Sequence, residues 1–140
     1  MSFYLDTNIL VSFIFRDAHS IKVEAWIAKT PRSLIIGAWT EVEFLALVRR
    51  WSRSGLLTVD QAENKIADAS AFIAERAQQL PLSPTAGARA ASLARDPLLK
   101  LSAADALHLA CASEGGHCLV TNDARLIEAA RARGFAVEAP

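Results

Sequence analysis

Four carboxylates stand out by the company they keep. Asp6 lies between Leu5 and the apolar run NILVSFIF, Glu43 lies in VEFLALV, and Asp105 lies in AADALHLACA. Asp123 follows the apolar run HCLVT after Asn122. A lone carboxylate in such surroundings is costly unless it is paired or bound to a metal. Bases nearby in sequence are too few to pair with all four. Hard divalent cations resolve the problem, because Mg²⁺ and Mn²⁺ take carboxylate oxygens together with waters and substrate phosphates. Like charges in one pocket raise each other's pKa values, and a bound cation reverses that. Glu41 competes with Glu43 for this role. Two residues apart on a helix, they point about 200° away from each other and cannot share a face. Apolar residues flank both, so periodicity does not choose between them. Asp105 and Asp123 also suit the first turn of a helix, where a carboxylate gains roughly 0.3–1 kcal/mol.

The elements that must position these groups alternate along the chain. Residues 2–5 (SFYL) form a first strand ending at Asp6. A helix over Asn8–Phe15 follows, and a second runs through Ile21, Val23, Trp26 and Ile27 to stop before Pro31. Ser33–Ile36 is a strand closed by Gly37. Thr40–Ser52 is helical, with Gly55 as terminator. Thr58 caps the helix DQAENKIADASAFIAERAQQ, and Leu80–Leu82 is a short strand or extended link. Thr85–Arg95 is helical, with Pro31, Pro81, Pro84 and Pro97 as loop punctuation. Ser102 caps AADALHLACASE, which Gly115-Gly116 ends. His117–Thr121 is a strand, Asn122–Arg133 a helix stopped by Gly134, and Phe135–Val137 a last strand. Apolar strands alternating with helical crossovers specify a parallel sheet covered on both faces. The expected fold is therefore α/β: a three-layer α/β/α sandwich with a short sheet of four or five mostly parallel strands. In such sheets ligands bind beyond the carboxyl ends of the strands, where Asp6 and Asp123 fall.

Composition bounds the rest. The chain has 140 residues, consistent with one domain over residues 1–140, and fifteen basic side chains balance fifteen acidic ones. A globally basic nucleic-acid scaffold is excluded, so an anionic partner must be held by a local patch or through a metal. Cys111 and Cys118 form no CxxC pair, no secretory signal is legible at the N-terminus, and no run is long and apolar enough to span a membrane. A cytoplasmic protein with reduced thiols and no membrane association is expected.

Taken together, YLDTNIL, TEVEF, LSAADALHLA and LVTNDARLIEAA followed by GFAV resemble the PIN-domain family, and most of all its VapC-type toxin ribonucleases. The segments occur in order and cover essentially the whole chain. The resemblance maps the family's acidic positions onto Asp6, Glu43, Asp105 and Asp123. Its Thr-x-x-Glu pattern selects Glu43 over Glu41, because Thr40 stands three residues earlier. Thr7 and Asn8 match polar residues that orient the first Asp, and Thr121 matches the hydroxyl residue two before the last. Ser102 departs from the pattern, since many relatives carry Arg there. The resemblance implies metal-dependent hydrolysis of RNA phosphodiester bonds with one or two Mg²⁺ or Mn²⁺ ions. Asp6, Asp105 and Asp123 would face the metal, and Glu43 would act as a ligand through water or as a general base. It further implies a homodimer and an antitoxin covering the active site, with DNA bound only indirectly through that antitoxin.

Substrate contacts must come from local charge. Arg49, Arg50 and Arg53 follow Glu43 on one helix, and Arg125 follows Asp123. These can contact phosphates flanking the scissile bond, or simply offset helix dipoles and solvate a face. His108 lies one turn beyond Asp105 and Cys111 one turn further, which invites a zinc site. A fourth ligand is missing and the helix is apolar, so His108 reads as a partly buried histidine. Trp26, Trp39 and Trp51 read as packing residues. Ala-rich helices, apolar on more than one side, foretell an exposed apolar patch. Two other readings compete: a catalytically inactive PIN-like module that binds RNA or protein, and, more remotely, a phosphoacceptor signalling domain. The first would usually have lost an acidic position. The second needs a lysine near the strand ends, which carry none.

Overall fold

A computed structural model describes residues 1–31 and 33–140. Five strands form one parallel sheet: β1 (Phe3–Leu5), β2 (Leu34–Gly37), β3 (Ala77–Leu80), β4 (Cys118–Val120) and β5 (Val137–Glu138). Their spatial order is β3-β2-β1-β4-β5. Among the described residues, seven helices link them: α1 (Thr7–Ile14), α2 (Ser20–Lys29), α3 (Ala38–Arg53), α4 (Val59–Arg76), α5 (Pro84–Arg95), α6 (Ala103–Glu114) and α7 (Ala124–Ala132).

Strand alternation sorts the core into two layers. Phe3, Leu5, Leu34, Ile36, Cys118 and Val120 point to one face and pack against Ile9, Val23, Phe44, Val48 and Phe72 of the first four helices. Tyr4, Ile35 and Leu119 point to the other and pack against Ala86, Leu109 and Leu126 of the last three. Strands buried on both sides need apolar residues throughout, which is why FYL, LII and CLV carry no internal polar residue. The three-layer α/β/α architecture is thus the one expected.

The edges differ from expectation. The helix after Thr58 stops at Arg76, and the strand is Ala77–Leu80 rather than Leu80–Leu82. Ala77 continues the helical apolar spacing of Ile66, Ala69 and Ile73, which hides the boundary. The segment turns extended because it pairs with β2 along its length, from Leu34↔Ala77 to Gly37↔Leu80. It is a sheet edge, so Gln78 and Gln79 can be polar and exposed. The last strand is also displaced, to Val137–Glu138. Pro84 is helical: it occupies the first turn of α5 behind the cap Ser83, where its missing N–H removes no bond.

The sheet order fixes where a ligand can bind. From central β1 the chain moves outward to β2 and β3, then returns to the other side through β4 and β5. β1 pairs with β4 in register, Phe3↔Cys118 to Leu5↔Val120. The strand order therefore switches between β1 and β4. Asp6 and the Thr121-Asn122-Asp123 segment leave the sheet side by side at that crevice.

Candidate active site

Asp6 caps α1 and is only 5% exposed. Each of its carboxylate oxygens takes two donors. Oδ1 accepts from the Thr7 N–H at 2.6 Å and lies 3.1 Å from His108 Nε2. Oδ2 accepts from Thr121 Oγ1 at 2.6 Å and from Asn8 Nδ2 at 2.8 Å. Thr121 Oγ1 in turn accepts from the Asp123 N–H at 3.1 Å, and Asn8 Oδ1 accepts from the Asn122 N–H at 3.3 Å. The ends of β1 and β4 are thus tied together by side chains as well as by the sheet.

Glu43 reaches the same point from α3, which starts directly after β2. Thr40, one turn before it, is fully buried and donates to the Leu5 carbonyl at 3.2 Å, locking α3 over the end of β1. Glu43 Oε1 lies 3.5 Å from His108 Nε2. Glu41, on the opposite side of the helix, instead accepts from Gln79 at 3.1 Å. Asp105 sits in the first turn of α6, where its N–H donates to the Ser102 hydroxyl and its carboxylate accepts from the Ser102 N–H. Asp123 caps α7, accepting on Oδ1 from Arg125 and Leu126 N–H groups. The helix-terminus roles anticipated for both residues are therefore real, and each leaves a carboxylate oxygen available.

Asp6, Glu43, Asp105 and Asp123 line one cleft of about 410 Å³, together with Thr7, Asn8, Asn122 and the apolar Val11, Leu47 and Trp51. Burial raises the Asp6 pKa, with Glu43 adding to the effect, while His108 and the hydrogen bonds from Thr121 and Thr7 oppose it. The hydrogen bond to His108 holds Glu43 below the usual carboxylate range against partial burial. Burial pulls the His108 pKa down, but Glu43 and Asp6 outweigh it and leave it above the ordinary value. Among the described residues, Asn122 Nδ2 and Trp39 Nε1 are buried donors with no partner. The first belongs to a cleft-lining residue, so the cleft has a polar group still to satisfy.

His108 is the residue that sequence reasoning undervalued. It is fully buried rather than partly so, and its ring nitrogen faces two carboxylates. The ligand atoms of Asp6, Glu43 and His108 all lie within 4.8 Å of one another. The available signal was its spacing: residues three apart on a helix share a face, so His108 had to follow Asp105 toward the site.

The arginines disperse. Arg50 and Arg53 line a groove that continues from Glu43 along α3. Arg49 pairs at 2.6 Å with Glu63 of α4, away from that groove. Arg125 lines a separate hollow with Lys100 and Glu128. Trp51 packs edge-on against Phe15, with ring centroids 5.1 Å apart, and also walls the cleft. Trp26 packs on Phe3 and donates from Nε1 to Glu138 at 2.6 Å.

A parallel α/β/α domain with four carboxylates converging at its switch point has the donor set of a hard divalent cation site. The PIN domain family matches residues 3–132. Ribonuclease VapC35 of Mycobacterium tuberculosis is 32% identical over 143 residues, spanning 98% of this chain and 96% of that protein. Two solved structures share the fold. VapC20 of Mycobacterium tuberculosis, described as a Sarcin-Ricin loop cleaving toxin, has a TM-score of 0.74 at 17% identity, covering 96% of both chains. DNA-bound VapBC from Salmonella typhimurium has a TM-score of 0.73 at 22% identity, covering 99% of this chain and 98% of that one. The chain belongs to the PIN-domain family.

Proposed function

We propose that this chain is a metal-dependent ribonuclease and the toxin of a type II toxin–antitoxin pair. The observation that carries the proposal is the convergence of Asp6, Glu43, Asp105 and Asp123 on one cleft. The ribonuclease name of the relative from Mycobacterium tuberculosis supports RNA as substrate.

Asp6, Asp105 and Asp123 would hold one or two Mg²⁺ or Mn²⁺ ions, with Glu43 as a further ligand, directly or through water. When bound, the cation supplies charge neutralisation at the scissile phosphate and a more acidic water. The chain's own residues do the rest. Thr7, Asn8 and Thr121 fix the Asp6 carboxylate by hydrogen bonds to both oxygens. Asp123 is aimed by its own N–H bond to Thr121 and by the α7 N-terminus. Glu43, whose pKa the His108 hydrogen bond lowers, would act as a ligand through water or as the general base. Arg50 and Arg53 extend the cleft with positive charge along a path for the RNA backbone, and Arg125 is a more distant contact. Arg49 serves this path less, because Glu63 already engages it.

Solved relatives that are VapBC complexes support a protein antitoxin as partner. It would cover the cleft, and any DNA contact would be made by the antitoxin. The exposed Val42, Leu56, Val59 and Leu98 offer apolar surface for a homodimer. No described helix is long and apolar enough to cross a membrane, and action on cellular RNA implies the cytoplasm. The cleft lining carries no lysine, which a phosphoacceptor site would need.

The test is cleavage of total RNA by purified protein with Mg²⁺ or Mn²⁺, with EDTA, and with Asp6→Asn or Asp105→Asn. Metal-dependent cleavage by the wild type and its loss in both variants is expected. Full activity in both variants would sink the site assignment, and an inert wild type would favour the binding-module reading.

A further inference from the structure

Behind the carboxylates lies a buried polar chain whose part in orienting Asp6 the ribonuclease reading leaves undefined. Tyr4 is fully buried on the opposite face of β1 from Leu5. Its hydroxyl lies 3.3 Å from Thr40 Oγ1 and 3.4 Å from His108 Nδ1. The imidazole then passes through the layer, and its Nε2 emerges among three oxygens: Asp6 Oδ1 at 3.1 Å, Thr7 Oγ1 at 3.2 Å and Glu43 Oε1 at 3.5 Å.

The protonation of Nε2 follows from what it faces. A bare lone pair there would point at two carboxylate oxygens, acceptor against acceptor. An N–H satisfies both Nε2 and Asp6. His108 is 1% exposed, so the ring stands behind the carboxylates rather than beside them in the cleft. We propose that His108 is a positioning residue of the acidic site: its Nε2–H holds the Asp6 carboxylate, and more weakly that of Glu43, in the orientation that receives a divalent cation. It is not itself a ligand. The Tyr4 hydroxyl steadies the ring from behind. This inference rests on the metal-dependent reading above.

The test uses the full chain with two substitutions and one spectroscopic measurement. His108→Gln keeps an amide donor near the position of Nε2, whereas His108→Leu fills the space without one. Mn²⁺ affinity is measured by calorimetry, independently of RNA cleavage. The leucine variant is expected to bind Mn²⁺ roughly 10–100-fold more weakly, the range typical of lost outer-shell partners. The glutamine variant is expected to stay near wild type. Equal affinity in wild type and the leucine variant overturns the proposal, as does equal loss in both variants. Nitrogen-15 spectra of histidine-labelled wild type provide the independent arm, which stands even if the leucine variant does not fold. Nε2 of His108 is expected to stay protonated with and without Mg²⁺. Loss of that proton on Mg²⁺ loading would make His108 a ligand and overturn the positioning role. Failure of the wild type to bind Mn²⁺ overturns the nuclease reading itself, and is distinguished because it precedes any substitution.

Discussion

Thr121 shows how much one hydroxyl can hold. It donates to Asp6 and accepts from Asn8 and from the Asp123 N–H, while being fully buried. Thr121→Val keeps the shape and strips all three bonds. Each buried polar group left short costs about 1–3 kcal/mol. The expected result is a lower urea midpoint together with RNA cleavage reduced at least tenfold, the low end for outer-shell losses. Unchanged cleavage would show that Asp6 is oriented without it. Gly37 is the steric counterpart. A Cβ there would collide with the Tyr4 hydroxyl, against which only a bare backbone can pack. Gly37→Ala is expected to destabilise by about 1–3 kcal/mol, as overpacking does, read from chemical denaturation. Asp17 governs a pH effect outside the metal-facing set. Slight burial raises its pKa, but bonds from Ser12, the His19 N–H and Ser20 outweigh it and leave the group below its ordinary value. The sign follows: its contribution is present above the unfolded value of about 3.9 and is lost as pH falls through the lower folded one. Wild type should therefore exceed Asp17→Asn in stability at pH 7 and lose that margin as pH falls below the ordinary carboxylate range. A margin independent of pH would count against the hydrogen-bond account.

At the level of elements, the central strands and helix caps were legible because their physics is local. Three apolar residues before Asp6, the Thr58 and Ser102 caps and the Gly-Gly stop after α6 each declare a boundary within a few positions. Both caps proved to be full capping boxes, Thr58 with Gln61 and Ser102 with Asp105. The edges were not legible. Ala77-Gln78-Gln79-Leu80 is a strand only because β2 lies beside it, a fact carried by residues some forty positions away in the register. The surroundings of His108 were not legible for a related reason. Its helix neighbours are apolar, and the carboxylates that give it a role come from β1 and α3. The cap also ties stability to the site. Ser102→Ala should cost about 1 kcal/mol, the usual loss for a cap, and should loosen the first turn that carries Asp105 by removing the acceptor of its N–H, while the residue-102 N–H still donates to its carboxylate. Differential scanning calorimetry together with Mn²⁺ affinity would show both effects; a change in only one would separate cap from site.

Across the whole molecule, zero net charge coexists with a local concentration of acid. The carboxylates at the cleft would be partly cancelled by bound cations, leaving Arg50 and Arg53 to dominate the adjoining groove. RNA affinity should fall with rising salt, and a flat response would exclude phosphate contacts. The proposed homodimer is tested at this scale, with Leu98, 83% exposed, and Leu56, 72% exposed, among the apolar side chains it could cover. Sedimentation should find a dimer, and a strict monomer at micromolar concentration would overturn that expectation. The sheet order has a further consequence for synthesis. Asp6 and its partner Thr121 are 115 residues apart, because β4 inserts beside β1 only after three helical crossovers have been laid down. At ribosomal speeds of about 5–20 residues per second, that separation corresponds to roughly six to twenty-three seconds. Throughout that interval the emerging polypeptide holds its first carboxylate but not the strand that completes the cleft. An enzyme hazardous to the RNA around it would thus be harmless while still being made, and a partner translated nearby would have time to be waiting when the last strand arrives.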